Sequence, residues 1–154
     1  MLKPLLCSAL MFALPLTVQA QDKSQWPEGS AMHTGLTQKE LLENKQAKAS
    51  ELVGKIRTTL QQQLPRNGQY LADLLQEQQG KWLSYVDATC MLVGQMTGAG
   101  GSWPSVYALN CASNMADQRL FKLTNTLQCM KRHAKHQRRY EIPDCLYQSY
   151  SVTY

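Results

Sequence analysis

The sequence predicts an all-α fold: a small, disulfide-stapled helical bundle built on an antiparallel helix hairpin. Three observations predict it. Apolar residues recur at helical spacing along three segments, while strand-like alternation is nearly absent. Four cysteines, Cys90, Cys111, Cys129 and Cys145, follow an N-terminal segment that reads as a cleavable export signal. Between two of the periodic segments, Thr97-Gly98-Ala99-Gly100-Gly101-Ser102-Trp103-Pro104 makes a turn that neither helix nor strand crosses.

Residues 1–20 have the parts of a secretory signal. Lys3 supplies the positive start. Leu5 to Leu16 is almost wholly apolar, and Val18-Gln19-Ala20 offers small residues for cleavage after Ala20. The apolar run is shorter than the roughly 20 residues that span a bilayer. Cys7 lies inside it and leaves with the peptide. No transmembrane segment is expected after cleavage. The remaining chain of about 134 residues suits one domain with a modest core.

Residues 21–36 are polar, with Pro27, Gly29 and Gly35, and are expected to form a flexible leader. Thr37 and Glu40 have the spacing of a capping box, which starts a first helix at Gln38. Its apolar positions are Leu41, Leu42, Leu52, Val53, Ile56 and Leu60, and Pro65, Asn67 and Gly68 end it. A second helix is expected from about Gln69 to Gly94. Its broad apolar face carries Leu71, Leu74, Leu75, Gln78, Trp82, Tyr85, Val86 and Val93. A third runs from near Ser105 to about Met130 on Val106, Leu109, Ala116, Leu120, Leu123 and Leu127. The helical domain therefore spans 37–130. Residues 131–154 form a basic tail carrying Lys131, Arg132, Lys135, Arg138 and Arg139, with Tyr147, Tyr150 and Tyr154 at its aromatic end.

Helix geometry selects the disulfides. In an antiparallel hairpin, residues equally distant from the turn face one another. Cys90 and Cys111 are centred between Gly100 and Gly101. Cys111 and Cys129 share one helix about 27 Å apart, at 1.5 Å per residue, beyond the roughly 7 Å a disulfide spans between Cα atoms. Cys90 and Cys129 fail similarly. Cys90–Cys111 and Cys129–Cys145 remain, and the second tethers the tail to the third helix.

Gln79, Trp82, Tyr85, Asp87 and Cys90, the Gly100-Gly101-Ser102 turn, Cys111, and Arg119 form a spaced string. Over roughly residues 75–125 it resembles the LprI-like lysozyme-inhibitor domain family. The resemblance implies a small helical, disulfide-bonded domain in exported bacterial proteins, with a protein partner such as lysozyme. Val86 departs from the pattern where a charged residue is usual, as does Asn114-Met115 where a hydroxyl residue is usual.

The same residues have structural uses. Trp82 and Tyr85 lie on the apolar face and are expected in the core. Gly100 and Gly101 allow a tight turn, and Ser102 caps the third helix. Arg119 has Asp87 and Asp117 as candidate ion-pair partners, or covers apolar surface with its stem. The loop Gly100, Gly101, Ser102, Trp103 is the candidate binding surface, with Trp103 as anchor.

No catalytic set stands out, and no enzyme is expected. Ser102 lacks a nucleophile elbow, and every mature cysteine has a disulfide partner. His133 and His136, among cations and without thiolate or carboxylate, read as a solvated basic face; no metal and no cofactor are expected. The whole chain is formally +5 and the mature part +4, but five of the positive charges fall within residues 131–139. The rest of the mature chain is nearly neutral. Export argues against nucleic acid as a partner. Two readings follow. The first is an exported bacterial envelope binding protein, periplasmic or secreted, that inhibits lysozyme by occlusion. The second is a surface-interaction module whose basic tail binds anionic lipid or lipopolysaccharide.

Overall fold

The computed structural model describes residues 22–151. Residues 1–20, read above as an export signal, and Tyr154 lie outside the described residues. Among those described, the chain forms four α-helices and no strand: α1 (Ala31–Gln63), α2 (Gly68–Met96), α3 (Trp103–Lys135) and α4 (Ile142–Tyr150). Two short 3-10 turns, Lys23–Gln25 and Arg139–Glu141, complete the order. The all-α, disulfide-stapled architecture is thus as the sequence predicts. α3 is central and packs against α1, α2 and α4. None of these helices is long and apolar enough to cross a membrane.

The first helix starts at Ala31, not Gln38. Its N-cap is Ser30, whose side-chain oxygen accepts from the His33 amide at 3.2 Å. The Thr37 hydroxyl instead donates to the His33 carbonyl within the helix. Glu40 turns outward to Lys23 at 2.7 Å, and the ammonium holds its carboxyl below the usual range. The segment expected as a leader therefore contributes a helical turn and a half to α1. Ahead of it, the Lys23–Gln25 turn lies along α1. The polar composition hid this, because the cap and the first turns expose no apolar stripe.

The α2–α3 hairpin is fastened by Cys90–Cys111, with Cα atoms 5.5 Å apart, and α4 is joined to α3 by Cys129–Cys145, at 5.8 Å. The main core gathers Val53, Ile56 and Leu60 of α1, Ala72 and Leu75 of α2, Leu123, Leu127 and Met130 of α3, and Ile142 and Cys145 of α4. A smaller cluster of Val86, Cys90 and Ala112 lies toward the hairpin turn. Val86 is buried there, so an apolar residue suits that position.

Several boundaries and faces differ from the sequence reading. α3 continues through Lys135, and the tail after it is folded: Ile142 and Cys145 are fully buried. On α2 the buried stripe is Ala72, Leu75, Gln79, Val86, Cys90 and Gly94. Leu74, Tyr85 and Val93 are exposed, each one position and about 100° from a stripe residue. Leu41 of α1 is likewise exposed.

Candidate functional site

Two regions hold the candidate binding loop and the buried part of the family motif. The first is the hairpin end. Gly98 and Gly101 adopt φ of +66° and +62°, the left-handed region where a side chain is strained. Ser102 precedes the first residue of α3, with Pro104 in the first turn, but its hydroxyl makes no capping bond. Trp103 is 38% exposed and lies beside Tyr107, ring centroids 6.3 Å apart. Leu92 and Met96 are also exposed at this end. Behind the turn, α2 and α3 come very close at Gly94, where an added Cβ would meet the Pro104 carbonyl oxygen at 2.3 Å. The turn is therefore held by a close helix crossing as well as by the Cys90–Cys111 bond.

The second region is a polar layer between the two apolar clusters. Arg119 of α3 is only 4% exposed. Its Nε and Nη2 donate to Gln79 Oε1 at 2.9 and 2.7 Å, and Nη2 also donates to Gln78 Oε1 at 2.5 Å. The guanidinium carbon lies 5.3 Å from the Trp82 ring centroid and 5.1 Å from that of Tyr150. The cation is thus held by amide dipoles and two aromatic faces. Burial lowers the Arg119 pKa from its ordinary value, with Tyr150 opposing. The same burial pushes the Tyr150 phenol up, with Arg119 pulling it back.

The structure brings Gln79, Trp82 and Arg119 together and leaves Tyr85 and Asp87 outside. Tyr85 is 59% exposed, not in the core. Neither candidate carboxylate pairs with Arg119. Asp117 instead accepts from Lys45 of α1 at 2.7 Å, and the same ammonium reaches the Ser113 hydroxyl at 2.7 Å. Gln78, Tyr150 and Lys45 were not singled out as site residues. The one signal for Gln78 was a glutamine on an otherwise apolar face. Nothing local announces Tyr150, which reaches Arg119 only because α4 folds back.

Lys131, Arg132, Lys135, Arg138 and Arg139 are all exposed. Arg132 and Lys135 lie in the last turn of α3, where cations complement the helix dipole. Arg138 pairs with Glu141 at 3.2 Å. His133 Nδ1 is buried 2.9 Å from Glu141 Oε2, without a hydrogen bond of good geometry. Cys129, His133 and Cys145 bring ligand atoms within 4.8 Å of one another. The disulfide occupies both sulfurs, so this group offers no thiolate to a metal while oxidised.

Searches of curated proteins and of solved structures return no match. The family described as lysozyme inhibitor LprI matches residues 28–123, from just before α1 to the middle of α3. The match takes in the hairpin, its disulfide and Gln79, Trp82 and Arg119 of the polar layer, and by it the chain belongs to the LprI lysozyme-inhibitor family.

Proposed function

We propose that this chain is an exported envelope protein, periplasmic or secreted, that inhibits lysozyme by occluding it with the end of the α2–α3 hairpin. One observation carries the reading. From Ala88 through Ala116 the sequence has no Asp, Glu, Lys or Arg, and this uncharged stretch exposes Leu92, Met96, Trp103 and Tyr107. Depletion of charge around aromatic and Met side chains marks the centre of protein interfaces, and exposed apolar clusters mark where partners bind. The disulfide and the Gly94 crossing pre-organise the loop, which lowers the entropy lost on binding. A neutral contact also answers the charge problem. A net-positive chain is not steered toward a cationic lysozyme, but a neutral, shape-driven contact tolerates salt.

The expected result is inhibition of lysis by the mature, oxidised protein that persists at raised salt. Trp103→Ala should weaken it at least tenfold, the ordinary size of an aromatic anchor of about 2 kcal/mol. Unchanged lysis across several lysozymes at micromolar protein overturns the reading. The five exposed cations of residues 131–139 favour a second use, on anionic lipid or lipopolysaccharide. It predicts vesicle binding that collapses with salt and disappears when the five are neutralised.

A further inference from the structure

We propose that the cleft at Arg119 binds the carboxylate of a fatty-acid-like, single-chain amphiphile, whose alkyl chain lies in the groove between α2 and α4. The head-group site is built from donors that lack acceptors. Arg119 is always charged, yet its partners are the neutral oxygens of Gln78 and Gln79. Its remaining terminal nitrogen, Nη1, donates to nothing among the described residues. The ring of Tyr150 lies over the same guanidinium, and its hydroxyl is buried and also without a hydrogen-bond partner among the described residues. Both residues line a cleft of 220 Å³ together with Lys122 and Ser149. Among the described residues, no carboxylate lines it. A buried hydroxyl left without a partner beside a largely buried cation is costly unless an anion completes it, and Nη1 is the open donor through which that anion reaches the cation.

The chain site adjoins it. A groove of 390 Å³ is lined by Leu71, Leu74, Leu75, Leu146 and Tyr147, and it shares Gln78 and Tyr150 with the cleft. An apolar channel that opens onto an unpaired cation is complementary to a molecule with one anionic end and one hydrocarbon end. A peptide would need acceptors and donors for its backbone along the groove, and four leucines and a tyrosine ring offer almost none. A small hydrophilic anion would leave the groove unused. This site is distinct from the hairpin end, and the proposal does not depend on lysozyme inhibition.

The test is calorimetric titration of the mature, oxidised protein with octanoate, decanoate and dodecanoate below their micelle concentrations. One-to-one binding is expected, tightening about fourfold per added methylene that the groove buries. Dodecanol and dodecyltrimethylammonium should bind at least tenfold more weakly than dodecanoate. Arg119→Gln should remove that preference for the anion. Because that variant risks misfolding, Tyr150→Phe and Leu74→Glu carry the test as well. The first deletes only a hydroxyl, and the second puts a charge on an exposed groove position. Each should weaken dodecanoate several-fold, while Trp103→Ala leaves it unchanged. The proposal is overturned if dodecanoate binds no better than dodecanol, or if Tyr150→Phe and Leu74→Glu bind it normally. It also fails if neutralising the five cations of residues 131–139 abolishes binding, since the tail would then be the site.

Discussion

Arg119 keeps a permanent positive charge inside the bundle with glutamine oxygens and aromatic rings as its only partners among the described residues. Gln79 is the critical acceptor, since it takes two of the guanidinium's three hydrogen bonds and is itself 6% exposed. Gln79→Leu keeps the volume but strands the cation, and should destabilise by about 2–3 kcal/mol, as hydrogen bonds to buried charges do. The urea midpoint reads this directly. Tyr150 makes a pH prediction. Burial raises its folded-state pKa above the ordinary 10.0, so the neutral phenol is the form the fold accommodates. That contribution is fully present below pH 10 and is lost as pH rises through the elevated folded value. Tyr150→Phe should therefore show less alkaline destabilisation than the parent in urea melts from pH 9 upward. Identical alkaline profiles would show that the phenol does not ionise against the fold.

Two glycines of α2 have opposite roles, although composition treats them alike. Gly80 faces solvent, and an added Cβ there meets nothing within 4 Å. Gly80→Ala should raise stability by roughly 0.5–1 kcal/mol through helix propensity alone. Gly94 is buried, and its Cβ would strike the Pro104 carbonyl. Gly94→Ala must push α2 and α3 apart and should cost about 1–3 kcal/mol. Under the occlusion proposed above, it should also weaken inhibition, because the hairpin end rests on that crossing. Thermal melts of the two single variants give opposite signs if the crossing is as described.

For the whole molecule, the two disulfides constrain different things. Cys90–Cys111 closes a hairpin whose halves are joined by a short turn, whereas Cys129–Cys145 keeps α4, the element that brings Tyr150 to Arg119. Replacing Cys129 and Cys145 together by Ser should lower stability by roughly 2–4 kcal/mol. Amide exchange should accelerate in α4 first, with Ile142 of the core retaining part of its protection. Equal acceleration across α2 would mean that the bundle does not fold around a separable α4.

The three long helices were legible because each repeats apolar residues at a period that its own backbone imposes. The pairing of Cys90 with Cys111 followed from the same geometry, since distance from a turn fixes which residues oppose each other in a hairpin. The caps and faces were less legible. Ser30 outcompeted Thr37 as the start of α1, and Tyr85 pointed outward from a face that looked continuous. Such choices turn on the direction from which a neighbouring helix arrives, which one chain's periodicity does not encode. The sequence by itself determined helices, crosslinks and a neutral hairpin end, all of them local or one-dimensional properties. Only the tertiary structure decided that Arg119 would be buried with no carboxylate partner among the described residues. That outcome needs Gln79, Trp82 and Tyr150 from two other helices to converge on one guanidinium, and such convergence exists only once α4 has folded back.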